Sequence, residues 1–495
     1  MEIPFVLLQT ILVPAVAAPL VALMGKRIGK YVGWIASAIL IYTTSLLLIA
    51  GSTIWTTALP ISETYTWSAV SFTLEFGFIA DNLSLPVALI MNLICTAASI
   101  YSIHYMKHRI DELYGEENKS MHGLYHALYL LFPIGLVGVA LSSNLIAMYL
   151  FIELVLIPSY FLLDFFGYRE RHRVATMYFI WNQVAAGLFL IGAILASTAT
   201  GGSFSINALS TISGQPIAFW VCLLILVGWL IKMAAFGLHV WLPYAHGEHL
   251  AHIAAIIATI AGLGSYVIVR LLAVPLAADF QVFGLPIMVL GLITMVYGGL
   301  LTLAQDDVKR LYACSTISQT AYSLVGIGSL TAMGLAGGVF YFVSHILGKS
   351  ILLCIAGVLM MQTGSRDMNK MGGLAKKMPF TAALAILGSM ILSAIPPLSG
   401  LQAEWVMFVG IFQGGTLQGA LQFAIPVIAI FATFLTAAYT FWPVKRIFFG
   451  PLSSELEDVK EAPKSMTLPL FILALVSLLF GIYPDVVMHF LSAFF

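Results

Sequence analysis

Residues 228–255 read GWLIKMAAFGLHVWLPYAHGEHLAHIAA. The run is apolar enough to sit in a bilayer, yet it carries Lys232 and is interrupted by Gly237 and Pro243. Proline donates no backbone hydrogen bond and glycine costs helix stability, so the two bracket an expected helix break. Broken helices at membrane depth line cavities. A charge near the bilayer centre costs roughly 2.5–3.5 kcal/mol on insertion scales. Lys232 therefore reads as part of an ion path, with a purely structural cation as the competing explanation. His239, His246, His249 and His252 follow in the same stretch. Histidine titrates near neutral pH and suits a proton relay. For His246 and His239 a proton path is the stronger expectation. His249 and His252 suit a wet inner loop nearly as well. The spacing of the last three also admits metal ligation, but only Glu248 accompanies them, and no metal site is expected.

The rest of the chain fits this stretch. Of 495 residues, 60% are hydrophobic and 9% charged, whereas soluble domains are about one quarter charged. This excludes a soluble enzyme, a nucleic-acid binder and a disordered chain, and leaves a polytopic membrane protein. Cys95, Cys222, Cys314 and Cys354 lie far apart in apolar stretches, with no CxxC pair, so neither a disulfide framework nor a thiolate metal site is expected. The first residues have no basic region before the apolar run and read as a retained span.

Fourteen apolar runs are predicted as helices: 3–23, 31–50, 79–103, 124–142, 144–166, 174–198, 218–242, 250–273, 281–303, 311–330, 333–361, 379–414, 422–444 and 466–492. Runs 11 and 12 are overlong, which suggests tilt or a break. Strands are not expected, because the runs do not alternate. With the loop at 24–30 cytoplasmic, 19 of the 22 Lys and Arg residues fall on the inner side, and the outer loops 51–78, 199–217 and 415–421 carry none. By the positive-inside rule both termini lie outside the cell membrane. Arg270 falls near an outer helix end, where it can snorkel.

Four ionisable residues then fall inside spans: Glu153, Lys232, Lys349 and Glu404. Desolvation raises a carboxyl pKa and lowers a lysine pKa, which moves both kinds of group toward exchange near neutral pH. Glu153 lies in FIELVLIPSYFLLDFF, where Pro158 should weaken the helix; a helix-packing salt bridge is the alternative. His345 and Lys349, in YFVSHILGKSILL, are four apart and share a helical face, so a short hydrogen-bonded step between them is expected. Glu404 follows Pro396, Pro397 and Gly400 in SAIPPLSGLQAEW, beyond a second predicted break and toward an outer exit; a solvated outer acid is the alternative.

The fold expected is an all-α polytopic membrane protein of about fourteen transmembrane helices. Runs 4–8 and 9–13 form two inverted five-helix repeats with broken helices 7 and 12. The units are 1–123 (helices 1–3), 124–273 (first repeat), 274–449 (second repeat) and 450–495 (C-terminal helix).

ADNLSLP at 80–86, FIELVLIPSYFLL, LHVWLPYAH, DDVKRLYACSTISQTAYSLVGI, SHILGKSILL and IPPLSGLQAEW occur in this order. Together they resemble the antiporter-like proton-pumping subunits of the respiratory complex I family, nearest to the M or chain 4 type of NADH:quinone oxidoreductase. The resemblance covers nearly the whole chain. It implies that Glu153 modulates Lys232 on the broken helix, that His345 is a central relay and that Glu404 is the terminal proton site. The glutamate there favours the M type, since the sister L type has lysine. The sequence departs from the family pattern at four places: Met-Ala-Ala after Lys232, His249 and Leu250 where Ala-Pro is usual, Gly262 in place of a span 8 lysine, and Gln319 in place of a frequent histidine. These departures lean the expectation toward an archaeal, deazaflavin-linked dehydrogenase.

The function expected is outward proton translocation along Glu153, Lys232, His239, His246, His345, Lys349 and Glu404. A further relay at His249 or His252, with added water, would compensate for the absent lysine. Electrons would pass from NADH or a reduced deazaflavin to a quinone-like carrier in other subunits. The chain would serve a proton-translocating oxidoreductase without binding a cofactor itself. Its partners would be membrane subunits of a complex I-like assembly, lipids, protons and water, and no nucleic acid. Two alternatives stand beside this: a subunit of a multisubunit sodium/proton antiporter or membrane-bound hydrogenase, and a non-transporting scaffold. Replacing both His249 and His252 with alanine should reduce proton pumping; undiminished pumping would remove their compensating role.

Overall fold

Inside a bilayer, backbone groups must find their partners within the chain, and these runs do so as helices. The computed structural model describes residues 3–69, 72–115, 118–415, 419–452 and 454–495, with the side chains of 67–69 and 72–75 left out. The helices are α1 (Val6–Ile28), α2 (Val32–Thr57), α3 (Ser84–Tyr114), α4 (Lys119–Leu141), α5 (Leu145–Phe166), α6 (Arg171–Ala199), α7 (Pro216–Lys232), α8 (Trp241–Glu248), α9 (Ala251–Ile268), α10 (Ala277–Leu303), α11 (Val308–Gly328), α12 (Ala332–Thr363), α13 (Pro379–Leu392), α14 (Ser399–Phe412), α15 (Leu421–Phe448), α16 (Lys464–Ile482) and α17 (Asp485–Phe494). Among the described residues, ten stretches are long and apolar enough to cross a membrane, counting Val6–Thr57 as one. The pairs α7–α8 and α13–α14 are the two expected broken helices.

Four differences from expectation have physical causes. The outer loop is not coil: β1 (Ile61–Ala69) pairs antiparallel with β2 (Phe72–Ala80), Ile61 opposite Ala80. Alternating stretches such as ISETYTW satisfy their backbone in a two-stranded ribbon outside the helical bundle. The third helix starts at Ser84 and runs to Tyr114, because β2 takes residues up to Ala80. Run 11 is unbroken as α12 over 32 residues; with no proline inside it, nothing stops the ladder. Arg270 does not snorkel. It sits on a single π-turn, Val269–Ala273, with its side chain only 10% exposed, and lies 2.7 Å from Asp81.

That ion pair is one of two matching fastenings. Asp81 Oδ1 accepts from the backbone N–H of Leu83 and Ser84, capping α3, while Oδ2 faces Arg270. Asp307 Oδ1 accepts from Lys309 N–H and Arg310 N–H, capping α11, while Oδ2 lies 2.8 Å from Arg366 Nε. One pair clamps the end of the bundle that carries the hairpin, and the other clamps the end that carries most of the Lys and Arg; these are called the hairpin end and the basic end below. The hairpin contributes a third fastening. Glu63 accepts from Leu7 N–H and Leu8 N–H at 2.9 and 2.8 Å, placing a carboxylate on the positive end of α1.

Membrane helices associate through close backbone approach at small residues. A Cβ on Gly25 of α1 would stand 2.2 Å from Gly123 Cα of α4, and one on Gly337 of α12 would stand 2.4 Å from Met407 Cα of α14. The apolar cores of α9 and α12 are wholly buried, so they form the centre of the bundle, whereas α15 and the α1–α2 pair are largely exposed around it. Gly123→Ala should cost about 1–3 kcal/mol through overpacking and lower the melting temperature of the purified assembly. Gly187→Ala, where a Cβ meets nothing within 4 Å, should be neutral or slightly stabilising. Equal melting temperatures for the two variants would contradict the α1–α4 crossing.

Candidate functional site

The first break is built, not frayed. Ala234 at φ 56° and Gly237 at φ 84° turn the chain out of the helix. The carbonyls this frees are answered from neighbouring groups. Trp241 Nε1 donates to Ile231 O at 2.9 Å, and the Thr320 hydroxyl of α11 donates to Met233 O at 2.9 Å. Phe236 N–H donates to Thr294 Oγ1 of α10 at 3.0 Å. Pro243 falls in the first turn of α8, where its missing N–H costs nothing. Lys232 is therefore the last residue of α7, so its cation sits at the negative end of a half-helix.

Lys232 is buried, and its Nζ lies 3.4 Å from Asn182 Oδ1 of α6. The next α6 residue, Gln183, donates through Nε2 to Glu153 Oε1 of α5 at 3.2 Å. Glu153 and Lys232 interact electrostatically, yet among the described residues no direct ion pair closes between them. Two adjacent amides stand between the charges instead. Beside Lys232 is a cavity of about 10 Å³, lined in part by Tyr178, Asn182 and Trp229, which is room for roughly one water. The expected weakening at Pro158 does not interrupt α5, which runs on to Phe166.

The histidines separate into different places. His246 is fully buried with neither ring nitrogen hydrogen-bonded, and it interacts electrostatically with Lys349, Lys309 and His345. His249 and His252 are also fully buried, which overturns the wet-loop alternative; the chain turns inward because α8 ends against α5. His249 Nδ1 accepts from Leu250 N–H, leaving Nε2 to donate to Ser159 O at 3.2 Å, so both nitrogens are spent on holding the α8–α9 junction to α5. His252 Nε2 pairs with the Tyr125 hydroxyl, and its Nδ1 has no partner. His239 does not join this group. It meets the Tyr297 hydroxyl at 3.1 Å at the bundle surface, between exposed Phe236 and Val240, because the residues of the break face outward there.

Lys349 is buried on α12, but its ammonium does not bond to His345. It donates to Tyr312 O at 3.2 Å and to the Ser315 hydroxyl of α11. The expected His345–Lys349 hydrogen bond is thus absent: one helical face gives proximity, but the lysine stem reaches across to α11. His345 stacks on Tyr341 with ring centroids 6.5 Å apart. From Tyr341 a hydroxyl network continues. Its OH donates to Gln319 Oε1 at 2.8 Å, Gln319 Nε2 donates to the Tyr439 hydroxyl at 2.7 Å, and Thr436 joins Tyr439 to Tyr322 at 3.1 and 2.8 Å. Glu404 interacts electrostatically with Tyr322, Tyr341 and Tyr439. Its carboxylate is buried with Oε1 unpartnered, so it is not a solvated outer acid.

The second break mirrors the first. Ala394 at φ 53° ends α13, the Ser393 hydroxyl lies 2.7 Å from that of Thr440, and the Ser399 hydroxyl lies 2.7 Å from those of Ser344 and Ser477. Glu404 stands in the second turn of α14, toward that half-helix's positive end. At Gly262, where the resemblance leads to the expectation of a lysine, a Cβ would meet the Phe342 ring of α12 at 2.3 Å. An aromatic ring occupies the room a lysine would need. Sequence reasoning missed Asn182 and Gln183, whose amides in an apolar run were the available signal. It also missed Lys309, one of the 19 inner-side cations, which is buried and donates to His249 O.

Residues 142–441 match the family model described as NADH:quinone oxidoreductase/Mrp antiporter, transmembrane, and residues 67–115 match that of the NADH-ubiquinone oxidoreductase (complex I) chain 5 N-terminus. The chain is 30% identical over 470 residues to NAD(P)H-quinone oxidoreductase chain 4 2 of Thermosynechococcus vestitus, covering 92% of this chain and 84% of that one. It is 29% identical over 485 residues to chain 4 of Gloeobacter violaceus, covering 96% and 89%. In fold it is similar to a chain of the Mrp complex from Dietzia sp. (TM-score 0.86, 20% identity, 99% and 97% covered) and to one of respiratory complex I from Thermus thermophilus (0.84, 23%, 99% and 99%). A chain of an archaeal membrane-bound sulfane sulfur reductase gives 0.84 at 25% identity, covering 99% and 77%. The cyanobacterial chain 4 relatives agree with the M type and overturn the archaeal expectation; single-site departures such as Gly262 reflect local packing and do not mark a lineage.

Thr320→Val is isosteric but removes the donor to Met233 O. Leaving that buried carbonyl unsatisfied should cost about 1–3 kcal/mol, read as a lower melting temperature. Thr259→Val, which loses only a bond to Ala255 O of its own helix, should change little. Identical behaviour of the two would contradict the built break.

Proposed function

The chain belongs to the NADH:quinone oxidoreductase/Mrp antiporter transmembrane family, as an antiporter-like membrane subunit of a complex I-like assembly, and we propose that it carries protons from its basic end to its hairpin end. The basic end faces the cytoplasm and both termini lie outside, following the positive-inside partition. Fourteen crossings are grouped as 1–123, two inverted units at 124–273 and 274–449, and 450–495. Redox chemistry is done in partner subunits, which pass electrons to a quinone-like carrier and supply the energy.

One observation supports this reading above the others: ionisable or hydroxyl side chains succeed one another through the buried centre. Glu153 and Lys232 are bridged by amides, His246 interacts electrostatically with both Lys309 and Lys349, and His345 leads by way of Tyr341 and Gln319 to the tyrosines near Glu404. A scaffold could fill those places with Leu or Phe and avoid the desolvation cost of each charge. Lys232 and Glu404 sit on the two half-helices, where a change of protonation alters the charge facing a helix end. His239 lies off this file and is not needed for it.

In inverted membrane vesicles holding the whole complex, Lys232→Ala and Glu404→Gln should each cut redox-driven proton uptake by about 10²-fold, the scale of a lost proton-transfer group, with the complex still assembled. Uptake unchanged in both assembled variants would favour the scaffold. Uptake that requires sodium and proceeds without a redox partner would favour the antiporter.

A further inference from the structure

At the basic end, a cleft of about 470 Å³ opens between the end of α3, the turn after α5 and the end of α12. Its wall includes Tyr105, Arg109, Tyr168, Met361, Arg366 and Lys370. Nothing in the file from Glu153 to Glu404 uses this cleft, yet its floor is built with care. The Tyr105 and Tyr168 hydroxyls lie 2.5 Å apart. The Tyr168 ring holds two cations, the Arg109 guanidinium at 3.9 Å and the Lys309 ammonium at 4.6 Å from its centroid. Arg109 is fixed in turn by Glu112 at 2.7 Å and by Phe166 O at 3.1 Å. Cations held over an aromatic face favour one ring position, so the hydroxyl pair is positioned and does not drift with solvent.

Behind the pair lies His252. Its ring sits among Tyr101, Tyr105, Tyr125 and Tyr129, with centroids 5.2–6.4 Å away and Tyr105 nearest. The outer hydroxyls of this cage are committed, Tyr101 to Cys354 O and Tyr129 to Cys95 O. His252 itself is fully buried, with Nδ1 unpartnered. A buried imidazole nitrogen without a partner is costly unless it exchanges protons or binds water. His249, whose two nitrogens are held by the α8–α9 junction, interacts electrostatically with both His252 and His246, so His252 stands beside the residue that borders the central file.

We propose that this cleft is the cytoplasmic proton inlet, and that the Tyr105–Tyr168 hydroxyl pair passes protons from water in it to His252. The proposal rests on the transport reading given above. In each passage a hydronium in the cleft gives a proton to Tyr168 Oη and is left as water, the Tyr168 hydrogen moves to Tyr105 Oη, and the Tyr105 hydrogen moves through water to His252 Nδ1, which carries the charge as imidazolium. Neither tyrosine is left charged. Lys309, on the same ring and on His249 O, is a positioning residue for the pair. The inlet thus enters beside α9 without the lysine that Phe342 excludes at Gly262.

The test uses the whole complex in inverted vesicles, whose exposed face is the basic end. Met361→Cys is treated with a membrane-impermeant trimethylammonium methanethiosulfonate, and labelling is read by mass spectrometry. The four native cysteines are buried, so unmutated complex treated alike is the control. Labelling should go to completion and lower proton uptake severalfold relative to the same variant unlabelled. Full labelling with uptake unchanged, or no labelling at all, overturns the proposal. Tyr168→Phe keeps the ring for Arg109 and Lys309 but removes the hydroxyl; it should lower protons moved per electron severalfold while the complex assembles normally. An unchanged ratio would also overturn the proposal. If these arms are silent while Lys232→Ala and Glu404→Gln abolish uptake, the inlet falls and the transport reading stands; if all are silent, both fall.

Discussion

A charge buried in a bilayer-spanning bundle has to be answered from inside the protein, and this constraint organises the structure around Lys232 and Glu404. Neither residue forms a direct ion pair among the described residues. Lys232 is answered by a half-helix end and the Asn182 amide, and Glu404 lies toward the positive end of its own half-helix, near Tyr322, Tyr341 and Tyr439. A tight ion pair would hold both partners ionised and resist proton exchange. Amides and hydroxyls solvate a charge without fixing it. On the proposed reading, the absence of a tight partner is what leaves the proton free to move.

Breaking a helix at membrane depth exposes carbonyls that must be satisfied. Thr320 and Trp241 do this for the first break, where Thr294 also accepts from the freed Phe236 N–H, and Ser393, Thr440 and Ser477 stand at the second. The aspartate fastenings at opposite ends, Asp81 with Arg270 and Asp307 with Arg366, each hold a capped helix to a distant element. The ends are pinned, while the mid-depth chain keeps its irregular backbone and its polar side chains.

Much of this was legible in the residues. Continuous apolar runs, the basic-loop partition, and Gly237, Pro396 and Pro397 located the helices and both breaks, because each acts through local backbone chemistry or composition. What was not legible depends on what faces what. Arg270 looked like an end-of-helix cation because its partner, Asp81, is far away in sequence. His345 and Lys349 share a face, but the lysine reaches to α11. His249 and His252 look alike in the chain, yet one is spent holding a junction and the other keeps a free nitrogen. The hairpin was missed because its alternation lay in a loop read only for its lack of Lys and Arg.

The central claim is that these buried side chains form one hydrated file joining the two faces. A density map of the assembled complex that resolves ordered water tests it most directly. Waters bridging Lys232, His246, Lys349 and Glu404 by way of the Tyr341–Gln319 network are the predicted result. The same side chains separated by dry apolar packing, with no water between them, would contradict it.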